Sequence, residues 1–507
     1  MSRRTSRTRL SLVRVLALVL AVAGMGWVGA RAVGGLVAQA AVPGRSVFDA
    51  YVDVTATPSF AFETPEGPAQ SSVVLSFVVA DPGAPCTPSW GGYYTLDEAG
   101  STLELDRRIA QLRSTGGEVS VSFGGQAGTS LASACTDAGR LHAAYQAVVD
   151  RYRPASLDLD VEGAALSDAA GVARRAAAVK AVQDAASSAG APLPVWLTLP
   201  VGRDGLTSEG VHAVRAMLSA GVDLAGVNGM TMDFGVATSA SAPLSDTVRT
   251  AATALQRQVG SAWDGAGRRL SAAQAWNRVG VTVMIGQSDV PTERFTIADA
   301  NAVATFASTQ GVGRVSMWSL NRDATCAPPL PTVLTVVQTS CSGVDQRGQS
   351  FARALSAGLD TLPASDATAT AAPTPDPSPS PDDPATSPYP IWDPYGTYPG
   401  GTKVVWHHKV YQARYWTSGV APDTPTATAW DSPWTLLGPV MPGDTPAPLP
   451  TLPTGTYPQW DPATAYVAGD RVQVGDVPYQ AKWWSKGQEP GVPVKGGSPW
   501  LLVYPQQ

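Results

Sequence analysis

The sequence predicts an α/β fold: a (β/α)8 TIM barrel followed by two small Trp-rich all-β modules on Pro/Thr/Ser-rich linkers. Three observations predict it. Eight short apolar, β-branched runs recur between residues 45 and 325, several separated by Ala-rich helical patterns such as AAGVARRAAAVKAVQDAASSA (169–189), as expected of strands joined by helical crossovers. From about 357 to 388 the composition shifts to Pro, Thr, Ser and Asp, with almost nothing apolar to bury, and such a stretch reads as an extended spacer. Beyond it the chain repeats itself: residues 389–419 align without a gap with 457–487, 68 positions on, which marks two copies of one small unit.

Taken in order, the chain begins with Arg3, Arg4, Arg7, Arg9 and Arg14, then the apolar run VLALVLAVAGMGWVGA (15–30), then small residues ending in AQA at 38–40. That succession is the secretory pattern, and the run is also long enough to anchor in a bilayer if it is not cleaved. Residues 1–41 are therefore read as a signal peptide or membrane anchor. Either way the working chain is expected outside the cell or on the outer face of its membrane. The four cysteines suit an oxidising compartment. Sequence proximity favours pairing Cys86 with Cys135 and Cys326 with Cys341, and no Cys/His spacing suggests a metal site. A formal charge of −6 over 507 residues carries no electrostatic footprint for nucleic acid.

The barrel strands are expected at VFDAYVDV (47–54), SVVLSFVVA (72–80), EVSVSFGG (118–125), SLDLDVEG (156–163), PVWLTLPV (194–201), GVNGMTMDFG (226–235), VGVTVMIGQ (279–287) and GRVSMWSL (313–320). The fourth carries Asp158, Asp160 and Glu162 at alternate positions. Residues two apart on a strand share a face about 6.6 Å apart, so the three acids line one side. Like charges so placed repel and resist burial. At the C-terminal end of a barrel strand, where such folds build their active sites, a polar cluster of this kind has a use. Cation binding or simple solvation are the plainer readings of the same acids.

In the tail, nine of the fifteen Trp residues lie from 392 onward. Alternation in the two YQA segments sets Gln412, Arg414 and Trp416 against Tyr411, Ala413 and Tyr415, and Gln480, Lys482 and Trp484 against Tyr479, Ala481 and Trp483. Tyr411, Tyr479, Trp434 and Trp500 read as small cores. Trp416 and Trp484, sharing a face with polar residues, read as exposed rings with a partner. Trp483 is a further candidate contact. The expected boundaries are 45–345 for the barrel, 357–388 for the spacer, 389–438 and 457–504 for the modules, and 439–456 for the linker between them.

SFGG (122–125), LDLDVE (157–162), MTMDFG (230–235) and MWSLNRD (317–323), in this order, resemble glycoside hydrolase family 18, the chitinase family, across 45–345. The tail copies resemble carbohydrate-binding modules of families 5 and 12, the second more closely, since the first has His407 and His408 where the second has Gly475 and Asp476. The resemblance implies retaining hydrolysis of β-1,4-linked N-acetylglucosamine polymers in which the substrate's own N-acetyl group attacks the anomeric carbon. Carried over, Glu162 is the general acid, Asp160 orients the acetamido group, Asp158 shares proton or charge with Asp160, Asp233 contacts the acetamido group and Trp318 floors the site. Two positions depart from the commonest pattern: Ala155 stands where an Asp is usual, and Met232 where Tyr is usual. Loss of that hydroxyl donor either weakens stabilisation of the intermediate or shifts the task to another residue, for which Gln287 is a candidate. The expected partners are chitin and N-acetylglucosamine oligomers, with no cofactor, no metal and a monomeric chain. A chitin-binding protein without turnover and an endo-β-N-acetylglucosaminidase remain open as alternatives.

Overall fold

A computed structural model of the chain describes residues 46–236, 238–239, 242–361, 381–426, 431–446, 448–492 and 498–503. The expected signal or anchor segment at 1–41 lies outside them, as does most of the spacer. Among the described residues no helix is long and apolar enough to cross a membrane.

All eight runs form parallel strands: β1 (Val47–Phe48 and Ala50–Asp53, interrupted at Asp49), β2 (Ser72–Asp81), β3 (Glu118–Gly124), β4 (Leu157–Asp160), β5 (Val195–Gly202), β6 (Leu224–Met230), β7 (Val279–Met284) and β8 (Arg314–Trp318). Each pairs with its sequence neighbour, and β1 closes the ring, its first part pairing with β8 and its second with β2. The apolar core lies between sheet and helices. Leu157, Leu159 and Val161 of the fourth run, with Leu197, Leu199, Val281 and Val283, are almost completely buried there. The opposite strand faces are polar. Tyr51, Ser122, Asp158, Thr198, Asn228, Thr282 and Arg314, from seven strands, connect through side-chain hydrogen bonds, which places them together inside the ring.

Both disulfides form as sequence proximity favoured, Cys86–Cys135 and Cys326–Cys341. The barrel body extends past the expected end at 345: the helix Phe351–Leu355 buries Phe351 and Leu355, and strand Asp360–Thr361 pairs with β1. Apolar residues at 351 and 355 hold this segment to the barrel, so the spacer starts later than its expected 357.

Each tail copy is a three-stranded antiparallel sheet, Lys403–Trp406, Lys409–Ala413 and Trp434–Pro439 in the first, Arg471–Val474, Val477–Ala481 and Trp500–Leu502 in the second. Tyr411, Tyr479, Trp434 and Trp500 are buried as small cores. Trp416 and Trp484 are each 64% exposed. Tyr415 is exposed as well, because the strand ends at Ala413 and the alternation ends with it.

The first module packs on the barrel, which the sequence does not announce. Glu104, ahead of the helix Leu105–Ser114, accepts hydrogen bonds from Lys403 Nζ (2.8 Å), from the Tyr389 hydroxyl and from Arg107 Nε (2.9 Å). Arg107 also reaches Asp444 (2.9 Å) and the Pro439 carbonyl. Gly438 lies so close that a Cβ there would sit 2.6 Å from the Arg107 carbonyl oxygen, so only glycine fits the contact. The modules also touch each other: Lys482 pairs with Asp393, and the Tyr395 and Trp483 rings meet edge to face at 5.1 Å.

Candidate active site

The acids of the fourth run form a graded row. Asp158 is fully buried within the ring, Asp160 is 6% exposed above it, and Glu162, just past the strand end, is part-exposed in an extended backbone conformation that opens the short helix Gly163–Ser167. The motif glycines let neighbouring backbone approach the row. Gly124 and Gly125 both have positive φ, and a Cβ on Gly124 would meet the Asp160 carbonyl oxygen at 1.9 Å, one on Gly125 the Phe77 ring at 2.6 Å. Glycine is required at both for steric reasons.

Above the row lies a cleft of about 280 Å³ walled by Tyr51, Phe77, Met232, Met284 and Trp318, with Asp160, Glu162, Asp233 and Asp289 facing into it. Trp318 stacks on Phe77, ring centroids 5.3 Å apart, and stands 6.0 Å from Tyr51. An apolar floor with a few convergent acids is the common form of a small-molecule site. Asp233 sits at φ 54, an uncommon conformation for a residue other than glycine, and accepts a hydrogen bond from the Ser288 hydroxyl.

Electrostatics set the acids apart. Burial, then the nearby Glu162 and Asp158, push the Asp160 carboxyl well above its usual range, while Arg314 pulls the other way. Burial, then Asp233, raises Glu162. Burial, then Asp233, also raises Asp289. A carboxyl raised in this way keeps its proton toward neutral pH, as a general acid must. The shift at Asp160 also has a stability consequence. The folded state holds that proton at pH values where the unfolded chain has lost it, so stability falls as pH rises from the ordinary Asp value through the raised one and stays reduced above it. Asp160→Asn is therefore expected to melt at higher temperature than the parent near neutral pH, with the gap closing below about pH 4. Calorimetry across pH checks this; a lower melting temperature at neutral pH contradicts it.

Of the residues expected from sequence, Asp160, Glu162, Asp233, Met232 and Trp318 meet at the cleft, with Asp158 directly beneath. Gln287 does not join them. It is fully buried, its Nε2 donating to the carbonyls of Ser288, Val290 and Glu293 and its Oε1 accepting from Arg294, so its amide is spent on its own loop and cannot stand in for the missing tyrosine. Trp483 is likewise engaged, half-buried between the modules against Tyr395 with Lys482 above its ring. Trp90, at the end of the strand Ala84–Trp90, is buried and donates to the Tyr152 hydroxyl, whereas Tyr93, three residues on, is 75% exposed. Sequence reasoning missed Tyr51 and Asp49, although the alternation Asp49, Tyr51, Asp53 in the first run repeats the signal that marked the fourth. It also missed Phe77, Arg314 and Asp289.

With this geometry in hand, similarity to known proteins becomes informative. Over 251 residues the chain is 36% identical to the probable bifunctional chitinase/lysozyme of Escherichia coli K12, covering 49% of this chain and 28% of that protein. It is 36% identical over 235 residues to endochitinase 11 of Metarhizium anisopliae, covering 46% and 44% respectively. The chain thus spans less than half the length of either relative. The catalytic domain of the hyperthermophilic chitinase from Pyrococcus furiosus superposes with a TM-score of 0.51 at 24% identity, covering 62% of this chain and 95% of that domain. The barrel has the fold of a chitinase catalytic domain. Residues 459–501 match carbohydrate-binding module family 5/12, so the second tail module belongs to that family. The match falls on the copy that the turn residues single out as the closer one.

Proposed function

We propose that the chain is a family 18-type chitinase that acts outside the cell, cleaving β-1,4 bonds between N-acetylglucosamine units while its tail modules hold the insoluble polymer. The observation that carries this reading is the graded acidic row beneath a cleft floored by Tyr51, Phe77 and Trp318. Glu162, at the rim and raised by burial and by Asp233, gives its proton to the glycosidic oxygen as the bond to the anomeric carbon breaks. The N-acetyl carbonyl oxygen of the same sugar bonds to that carbon, forming a cyclic oxazolinium ion. Asp160, whose buried Oδ1 has no protein partner, accepts the acetamido N–H and balances the positive charge. Water then attacks the anomeric carbon, Glu162 takes its proton back, and the acetamide reopens. Met232, an apolar neighbour in place of a hydroxyl, packs beside the acetamido methyl, and Asp233 holds the opposite side. The two disulfides fit an oxidising extracellular setting.

The mechanism requires a 2-acetamido sugar. Hydrolysis of N-acetylglucosamine oligomers is expected, and none of the same oligomers carrying free amines throughout. Equal cleavage of both overturns it.

The tail has its own test. Exposed aromatic rings stack on sugar faces, and two linked sites gain over one by effective concentration, by about 10²–10⁴-fold where both engage. Trp484→Ala is expected to weaken binding to insoluble chitin, and the double substitution with Trp416→Ala to abolish most of it, with turnover of soluble oligomers unchanged. Pull-down isotherms on chitin beads check this; unchanged isotherms for the double variant assign binding elsewhere.

A further inference from the structure

Beneath the cleft a buried cation holds the acidic row. Arg314, at the start of β8 and completely buried, donates from Nη1 to Asp158 Oδ1 at 2.7 Å and from Nε to Asp49 Oδ1 at 2.8 Å. Asp49 lies in the break of β1 and also accepts from the Ser316 hydroxyl. Asp158 accepts three more hydrogen bonds: Thr198 Oγ1 reaches Oδ1 at 2.6 Å, and Ser122 Oγ and the Tyr51 hydroxyl reach Oδ2 at 2.7 and 2.9 Å. An ionised carboxylate has about four acceptor sites. All four on Asp158 are taken, two at each oxygen, so a proton could bind there only by displacing a donor. Asp160 is the opposite case, with a buried Oδ1 that no donor reaches.

We propose that Arg314, braced by Asp49, is a positioning residue for the hydrolysis assigned above: it fixes Asp158 as a carboxylate, so that the row's mobile proton belongs to Asp160 and Glu162 alone. The expected sharing of a proton between Asp158 and Asp160 is replaced by a fixed charge under a single titrating carboxyl. The charged and titratable groups facing Arg314 are Asp49 and Tyr51 from β1 and Asp158 and Asp160 from β4; the Trp196 ring on β5, 5.5 Å away, is neutral. This row is anchored by a cation from the far side of the ring, β8 lying opposite β4. The inference rests on the hydrolase reading for its purpose, but its geometry stands without turnover.

Two measurements on the full chain test it. In the first, aspartate carboxyl carbons are ¹³C-labelled and followed by NMR through a pH titration, with Asp158→Asn and Asp160→Asn used for assignment. The Asp160 carbon is expected to move while the Asp158 carbon keeps its carboxylate position; the two moving together overturns the proposal. This outcome does not depend on catalysis, so a chain that binds oligomers without cleaving them would sink the hydrolase reading and still leave the role of Arg314 decided. In the second, kcat/KM is profiled against pH for Arg314→Met and Arg314→Lys. Arg314 pulls the Asp160 carboxyl down from its raised position, so without the cation the acidic limb of the Met variant is expected to move to higher pH, with Lys restoring most of the parental position. A Met variant with lower Tm but an unmoved acidic limb reduces Arg314 to a structural role and overturns the proposal. If the Met variant does not fold, the Lys variant decides: a fully shifted limb despite the retained charge overturns it.

Discussion

Glu162→Gln is expected to lower turnover of N-acetylglucosamine oligomers by roughly 10²–10⁴-fold, the usual contribution of a positioned general acid, while binding of the oligomers and the melting temperature change little. The substitution nearly keeps the side chain's volume and replaces the ionisable carboxyl with an amide that has no acidic proton to give. Glu162 is part-exposed and makes no hydrogen bond on which the barrel depends, in contrast to Asp158 below it with four. The alkaline limb of the parent's pH profile is expected above the ordinary Glu range, because burial and Asp233 both favour the protonated form, and to vanish in the variant. Steady-state kinetics from acid to alkaline pH check both points. A variant retaining more than a tenth of parental turnover would move the acid's role elsewhere, and Asp160, Asp233 and Asp289 are the remaining carboxyls at the cleft.

Arg107→Ala is expected to release the first tail module from the barrel. The substitution strips Asp444 of its cation and leaves Glu104 with Lys403 and Tyr389 only. Breaking a buried ion pair by removing one partner costs about 3–5 kcal/mol, at the lower end here because the Asp444 side chain keeps 17% of its surface in water. A docked module holds the exposed Trp416 ring at a fixed angle to the cleft, whereas a released one samples a volume set by its linker. Small-angle scattering should show a larger radius of gyration for the variant, and 434–439 should exchange amide hydrogens faster, with soluble-oligomer turnover unaffected. Identical scattering and exchange would show that the contact does not hold the module.

The fold was legible because parallel barrel strands are short apolar runs at regular spacing, and all eight runs between 47 and 320 became strands. The acidic row was legible for a related reason: alternation on one strand survives into space unchanged. What depends on chain segments far apart was not legible. Arg314 reads as an unremarkable charge at a strand start, and only its meeting with Asp49, 265 residues away, gives it a role. Glu104, Arg107, Lys403 and Asp444 are ordinary surface residues in sequence and become a buried cluster only when module and barrel meet. Gln287 was expected at the end of the seventh strand, but β7 stops at Met284 and Gln287 falls in a short antiparallel pair with Arg294–Phe295, its side chain turned into the intervening loop, a choice that strand periodicity does not encode. Likewise, alternation identified Trp416 and Trp484 as exposed but could not foresee that Trp483 would serve the contact between modules.

The measurement that bears most directly on the central claim follows the anomeric form of the product by NMR in the first moments after the chain cleaves an N-acetylglucosamine oligomer. Attack by the substrate's own acetamido group, followed by water on the opposite face, inverts the anomeric carbon twice, so the β-anomer is expected first, with none released by the Glu162→Gln variant. Initial release of the α-anomer would mean a single displacement by water and would contradict the assignment of Asp160 and Glu162 made here.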